Sequence, residues 1–273
     1  MLYTSEQTQN ALNERYQYLL VKFENHVLTL TLNRPEKKNA LNPILFKELV
    51  FGLSYAQNEK DVWAVVIAAN GDTFCAGADL KSFAGSGEEI VSSIPEPNGE
   101  ILLGEAFNLV HKPCIARVQG NALAGAFLIV CGCQYVFAVE QASFSLPEVK
   151  RGLFPFEVLA SLRSLMSERK ALDLCIRAAT LTAQEAKELG IVTHLCSKEN
   201  LDIAIDQFLV DLKKLSPTAI RKGMQASEEL RNIPLSEHHL FLKNKLNDIV
   251  TTKDAAEGIM AFVEKREPRW TGE

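Results

Sequence analysis

The chain has 273 residues, 47% of them hydrophobic and 23% charged, a globular composition with room for one large core. Its net charge of −5 and pI near 5.7 exclude a protein drawn to nucleic acid or anionic membrane by bulk charge, because that attraction starts from neutralising phosphates. No run approaches the ~20 apolar residues that a membrane-spanning helix needs.

Residues 1–17 are polar and lack the basic start and apolar centre of a secretory signal. "YLLVKF" (18–23) and "HVLTLTL" (26–32) predict two strands around a turn at Glu24-Asn25, the second alternating apolar residues with threonine. A charged, proline-containing loop covers 33–42. An apolar stripe then predicts a helix over 43–57, and "WAVVIAA" (63–69) a strand covered on both faces. Residues 70–83 form a loop leading into a helix, and 84–100, with Gly, Ser and two prolines, reads as a mobile surface segment. A helix is expected over 101–112, a strand over 113–120, a helix over 122–134, and short strands at 135–140 and 142–146. From about Pro155 the pattern is mostly helical. Thr182 and Glu185 make a capping box and Gly190 a helix stop; 201–215 is amphipathic, and the last 40 residues form one or two further helices. No internal repeat is visible. Strands alternating with helices, followed by helices alone, give an α/β core with a helical tail.

The six cysteines form no disulfide framework. Cys131-Gly-Cys133 has no second Cys/His pair at zinc-like spacing, so no metal is expected and free thiols in a reducing cytoplasm are the reading. His111, His194, His238 and His239 show no triad pattern, and Ser143 and Ser145 alternate with apolar residues on a strand. Cys75 reads as a small turn residue rather than a nucleophile, since no basic neighbour lowers its pKa. More telling are "FCAGAD" (74–79) and "GNALAG" (120–125), each placing small residues where a strand meets a helix and backbone N–H groups lack partners. Two such N–H groups converging on one point would make an oxyanion hole; tight packing is the competing explanation for the glycines.

"LNRPEKKNALN", "TFCAGADLKSF", "KPCIARVQGNALAGAF", "ASFSLPEVKRGLFP", "LTAQEAKELGIV" and "GIMAFVEKREPRW", in that order, resemble the enoyl-CoA hydratase/isomerase (crotonase) family from about residue 18 to 270. The resemblance implies an α/β fold of stacked ββα turns over 18–200, after the polar extension 1–17. It also implies a C-terminal helical region (201–273) that assembles a homotrimer or dimer of trimers. It implies an acyl-CoA thioester substrate, with no cofactor beyond the coenzyme A which that substrate carries. The oxyanion donors fall on the N–H groups of Ala78 and Gly125. Coenzyme A contacts fall on Ala76, Asp79, Leu80 and the Lys37-Lys38 loop, with Phe262 and Lys265 offered by a neighbouring subunit; a solvated face is the other reading of the lysines.

Family hydratases pair one glutamate in the helix after the glycine turn with a second in the "PE" segment. Here Leu128 takes the first place, Glu148 keeps the second, and Gln134 replaces a common aspartate. Glu148, flanked by Leu146, Pro147 and Val149, is the expected acid/base; capping or a salt bridge to Lys150 or Arg151 is its alternative role. Glu157 is a substitute-acid candidate whose simpler role is a helix-start carboxylate. Phe83, the 84–100 loop, Phe127 and Phe154 are expected around the acyl pocket. Enoyl-CoA hydratase is the leading expectation, a double-bond isomerase the close rival, and a non-catalytic acyl-CoA-binding protein the competitor from another class.

Overall fold

In the computed structural model, residues 2–83 and 89–273 are described, except for the side chain of Phe83. The chain begins with the short helix α1 (Ser5–Thr8) and the hairpin β1 (Leu19–Glu24) and β2 (Val27–Leu32), joined through Asn25 and His26, both with positive φ. Helix α2 (Pro43–Asn58) starts where the Asn42 side chain accepts from the Leu45 N–H at 2.8 Å, with Pro43 in the first turn.

From here each pass of the chain adds one strand to each of two sheets. β3 (Ala64–Ala69) joins the hairpin and β4 (Thr73–Cys75) starts a second sheet, before α3 (Leu80–Phe83) and α4 (Leu103–Asn108). β5 (Cys114–Val118) returns to the larger sheet and β6 (Asn121–Leu123) to the smaller, leading into α5 (Ala126–Gly132). β7 (Tyr135–Val139) and β8 (Ser143–Ser145) repeat the step, followed by α6 (Phe156–Arg163) and α7 (Glu168–Arg177). β9 (Thr180–Thr182), α8 (Ala183–Glu188) and β10 (His194–Cys196) close both sheets. The orders are β1-β2-β3-β5-β7-β10 and β4-β6-β8-β9, parallel except for the β1–β2 and β8–β9 pairs. The repeat absent from the sequence is therefore present in the topology. The tail is α9 (Leu201–Leu212), α10 (Pro217–Glu229), α11 (His238–Ile249) and α12 (Lys253–Glu264).

Burial follows from this layering. β3 is buried along its whole length because both faces are covered, which is why it reads as an unbroken apolar run. The Thr182–Glu185 capping box is present, and Gly190 has φ +79° after α8.

Several elements depart from expectation. The helix expected over 101–112 is confined to Leu103–Asn108; Pro113 disfavours helical backbone before it, and Lys112 instead turns inward to donate to the Ala56 and Glu59 carbonyls at the end of α2. The helix expected from 122 starts only at Ala126, because residues 121–123 pair with β4 and β8 and Ala124 adopts φ +53°. β4, β9 and β10 are strands where the sequence predicts loop or helix, each too short to show a period. The polar residues 2–17 bury Tyr3, Thr8 and Ala11. Of the expected mobile segment, 84–88 lies outside the described residues. The rest is tied to the N-terminus: Ser93 N–H donates to Arg15 O at 2.9 Å, Asn98 N–H to Leu2 O at 2.9 Å, and Ile94 is buried.

Candidate active site

The site lies where β4 and β6, parallel neighbours in the smaller sheet, leave their strands side by side. After β4, Ala78 forms a lone parallel bridge to Leu41: Leu41 N–H donates to Gly77 O at 2.8 Å and Asp79 N–H to Leu41 O at 2.9 Å. That pattern uses the groups on either side of Ala78 and turns its own N–H away from the bridge. After β6, Ala124 N–H donates to Ser145 O at 2.9 Å, and the left-handed Ala124 swings Gly125 to the start of α5. Neither the Ala78 nor the Gly125 N–H has a protein acceptor among the described residues. The two segments touch. A Cβ on Gly125 would stand 3.5 Å from the Ala78 nitrogen, and one on Gly77 (φ +87°) 2.9 Å from the Gly125 nitrogen and 2.5 Å from Ala124 Cβ. Gly77 is thus required for two independent reasons, its backbone region and the close approach. The positive φ at Ala124 costs about 1–3 kcal/mol, a strain tolerated only where the surroundings impose it.

The strap carrying Leu41 is itself anchored. Asn39 accepts from Arg34 N–H at 2.9 Å and donates to the Asn70 and Thr73 carbonyls at 2.8 and 2.9 Å. The Arg34 guanidinium, 1% exposed, reaches the Asp79 carboxylate at 2.7 Å and lies 5.0 Å from the Tyr18 ring centroid. Arg34 holds the Asp79 carboxyl below the usual carboxylate range. Sequence reading missed Arg34 and Asn39, which signal themselves only as polar residues in a loop.

A cavity of about 480 Å³ opens in front of the two N–H groups, lined by Ala76, Ala78, Leu80, Gly125, Leu128 and Glu148 among others. Glu148 begins a short 3₁₀ turn (Glu148–Arg151) after Pro147. Burial pushes its carboxyl above the ordinary carboxylate range; a hydrogen bond from its own backbone N–H and the nearby Arg151 charge offset only part of this. Its Oε2 is buried without a hydrogen-bond partner, and no ion pair to Lys150 or Arg151 forms among the described residues. An unpartnered carboxylate oxygen facing a cavity is costly in structural terms, so the salt-bridge role fits it poorly.

Leu128, buried at 4% exposure, forms an apolar wall of this cavity, and Glu157, at the start of α6, also lines it. Phe154 lines it as expected, joined by Phe46, which sequence reading did not single out. Phe127 does not: it is buried edge-on against Phe144, at 6.3 Å between ring centroids, because its face of α5 turns to the small sheet. Gln134 has a structural partner, accepting from Cys114 N–H at 2.9 Å. Cys75 is fully buried and its thiol is pushed up to about 12, leaving it inert at neutral pH. Asp79, Lys37 and Lys38 lie beside the cavity rather than in its wall: Ala76 N–H donates to Lys38 O at 3.0 Å. Phe262, 85% exposed on the last helix, and Lys265, which caps that helix, do not line it. No cluster of three or more His, Cys, Asp or Glu is placed for a metal among the described residues.

Two stacked sheets wound by strand–strand–helix steps, with free backbone N–H groups converging at one cavity beside a desolvated carboxylate, define an enzyme of the crotonase fold. Residues 22–273 match the enoyl-CoA hydratase/isomerase family, and the chain belongs to it. It is 29% identical to a probable enoyl-CoA hydratase of Mycobacterium bovis, over 94% of this chain and 98% of that one. It is 31% identical to a 2,3-dehydroadipyl-CoA hydratase of Escherichia coli, over 93% and 98%. The crystal structure of an enoyl-CoA hydratase from Mycobacterium tuberculosis superposes with a TM-score of 0.82 at 28% identity, covering 94% of this chain and 99% of that one.

Proposed function

We propose that the protein is an enoyl-CoA hydratase working with one carboxylate. The observation that carries this reading is the buried, unpartnered Oε2 of Glu148 in the same cavity as the unpaired N–H groups of Ala78 and Gly125. The thioester oxygen of a 2-enoyl-CoA would accept from both N–H groups. Water adds to the β-carbon, losing a proton to the Glu148 carboxylate, while the C=C electron pair moves toward the thioester oxygen. The two donors stabilise that enolate, a stabilisation typically worth about 2.7–4 kcal/mol per donor. Glu148 then delivers its proton to the α-carbon, and a 3-hydroxyacyl-CoA results. No cofactor takes part beyond the coenzyme A of the substrate.

The coenzyme A moiety would run along Ala76, Asp79 and Leu80 and past Lys37 and Lys38, with Phe262 and Lys265 contributed by another copy of the chain. Support for assembly comes from α11, which buries none of its own residues while exposing Leu240 and Leu246 at 65% and 62%. A homotrimer or dimer of trimers would cover them. All six cysteines are free, which suits a reducing compartment such as the cytoplasm. No helix among the described residues is long and apolar enough to cross a membrane.

Isomerase action is the second reading. Leu128 favours it, since an apolar side chain stands where family hydratases place a second glutamate, leaving Glu157 as the other carboxylate of this cavity. The deciding experiment incubates 2-enoyl-, 3-enoyl- and 3-hydroxyacyl-CoAs with the enzyme and with Glu148→Gln in D₂O, read by mass spectrometry. Water addition lost by about 10²–10⁴-fold in the variant is expected of the hydratase. Double-bond migration with deuterium uptake and no added water would make it an isomerase. Binding of thioesters with no turnover at all would leave an acyl-CoA-binding protein.

A further inference from the structure

One nitrogen of Arg34 holds both chains of the bridge that carries Ala78. Its Nη1 donates to Ala40 O at 3.2 Å and to Asp79 Oδ2 at 2.7 Å. Ala40 immediately precedes Leu41 and Asp79 immediately follows Ala78, and Leu41 and Ala78 are the bridged pair. The turn that brings Ala40 there is left-handed twice over, Lys38 and Asn39 each having φ +53°, and such backbone persists only where its surroundings over-determine it. The other carboxylate oxygen, Asp79 Oδ1, accepts from the N–H groups of Lys81 and Ser82 at 3.2 and 3.4 Å. Asp79 is therefore gripped from both sides.

Fastening the loop does not by itself account for this choice of residues. Burying a guanidinium costs hydration that an ion pair scarcely repays, and apolar residues in its place often serve stability as well or better. What a buried, hydrogen-bonded pair supplies is geometry, since each donor must meet its acceptor at a set distance and angle. It also settles a conflict of charge. A carboxylate one residue past a backbone donor opposes any negative oxygen which that donor binds, and a guanidinium 2.7 Å from it, 1% exposed, offsets the opposing field. Resting on the acyl-CoA reading above, we infer that Arg34 is a positioning residue for the enolate: it keeps the Ala78 N–H converged with that of Gly125 and neutralises Asp79 beside it, so that the site favours a negative thioester oxygen over a neutral one. Arg34 does not line the cavity and acts through Asp79 and Ala40.

The test uses acetoacetyl-CoA, a 3-oxoacyl thioester whose enolate has an ultraviolet band that the keto form lacks. With protein in excess, the pH at which half of the bound ligand shows that band is measured for wild type, Arg34→Gln and Arg34→Lys. Kd for butyryl-CoA, which stays neutral, is measured beside it. Wild type should hold the enolate at a lower pH than the free thioester does. Arg34→Gln should raise the midpoint by at least about one pH unit, a tenfold loss of preference for the anion. Its butyryl-CoA affinity should stay within about threefold of wild type, because the neutral ligand gains little from the alignment. Arg34→Lys keeps the charge but loses the planar fork, so its midpoint should fall between the two, and it carries the test by itself if Arg34→Gln does not fold. A folded variant with the wild-type midpoint overturns the inference, as does a loss of affinity shared equally by both ligands, which is what a purely structural role would give. Failure of both thioesters to bind wild type, or a wild-type midpoint no lower than that of the free thioester, would bring down the acyl-CoA reading itself. A lowered wild-type midpoint that ignores Arg34 removes this inference alone.

Discussion

At Glu148 a single environment sets both the proton affinity of the carboxyl and a cost in stability. Its raised pKa means the folded state holds the proton more tightly than the unfolded chain does. Folding therefore pays a penalty that grows as pH rises from the unfolded value, about 4.3, through the folded one. Glu148→Gln should accordingly raise the Tm at neutral pH, with the gain vanishing on acidification below the unfolded value. The same group should give kcat/KM an acid limb above the ordinary carboxylate range, and that limb should be missing from the residual activity of the variant. A Tm for Glu148→Gln at or below wild type at neutral pH would show that the carboxylate is better partnered than its environment indicates. Its apolar setting was legible in the sequence, because Leu146, Pro147 and Val149 flank it. Arg34 was not, since only the fold reveals that its loop turns inward.

Among the elements, the strap from Arg34 to Asn42 fixes the Ala78 peptide through the Leu41 hydrogen bonds and the Arg34–Asp79 ion pair. Asp79→Asn leaves Arg34 buried opposite a neutral group, and breaking such pairs costs several kcal/mol. Asp79 keeps some exposure, its side chain being 14% accessible, so about 3 kcal/mol is expected from chemical denaturation. The Asp79 pKa is lowered, so its contribution is present above about pH 3.9 and is lost as pH falls through the lower folded value. The gap between wild type and Asp79→Asn should therefore close in acid; a gap independent of pH would deny the ion pair its role. Long periodic segments such as α2 and β3 were readable because burial repeats along them. β4, β6 and β9 have three residues each, too few for a period, and their identity comes from partners elsewhere in the chain. The late start of α5 has the same origin: sheet pairing at 121–123 overrides a helical composition.

Across the whole molecule, the helical tail is the part least satisfied alone. Leu246→Glu places a charge on a helix that has nothing buried within its own chain, so its folding cost in the 30.3 kDa protomer should be small. Mass photometry should show wild-type assemblies at multiples of that mass and the variant shifted toward the protomer; a monomeric wild type would refute the assembly. The order of motifs made the overall architecture legible, whereas the alternation between two sheets was hidden, since topology repeats where residues do not. A last consequence follows from the N–H groups of Ala78 and Gly125. On the function proposed above, these donors belong to the backbone, so proline is the one exchange at either position that removes a donor outright. Diversifying Phe46, Leu128, Phe154 and Glu157 in a laboratory library would alter what happens to the bound acyl group while leaving that anchor in place. That reading separates holding from reacting, and so offers a starting point for evolving new acyl-CoA chemistry.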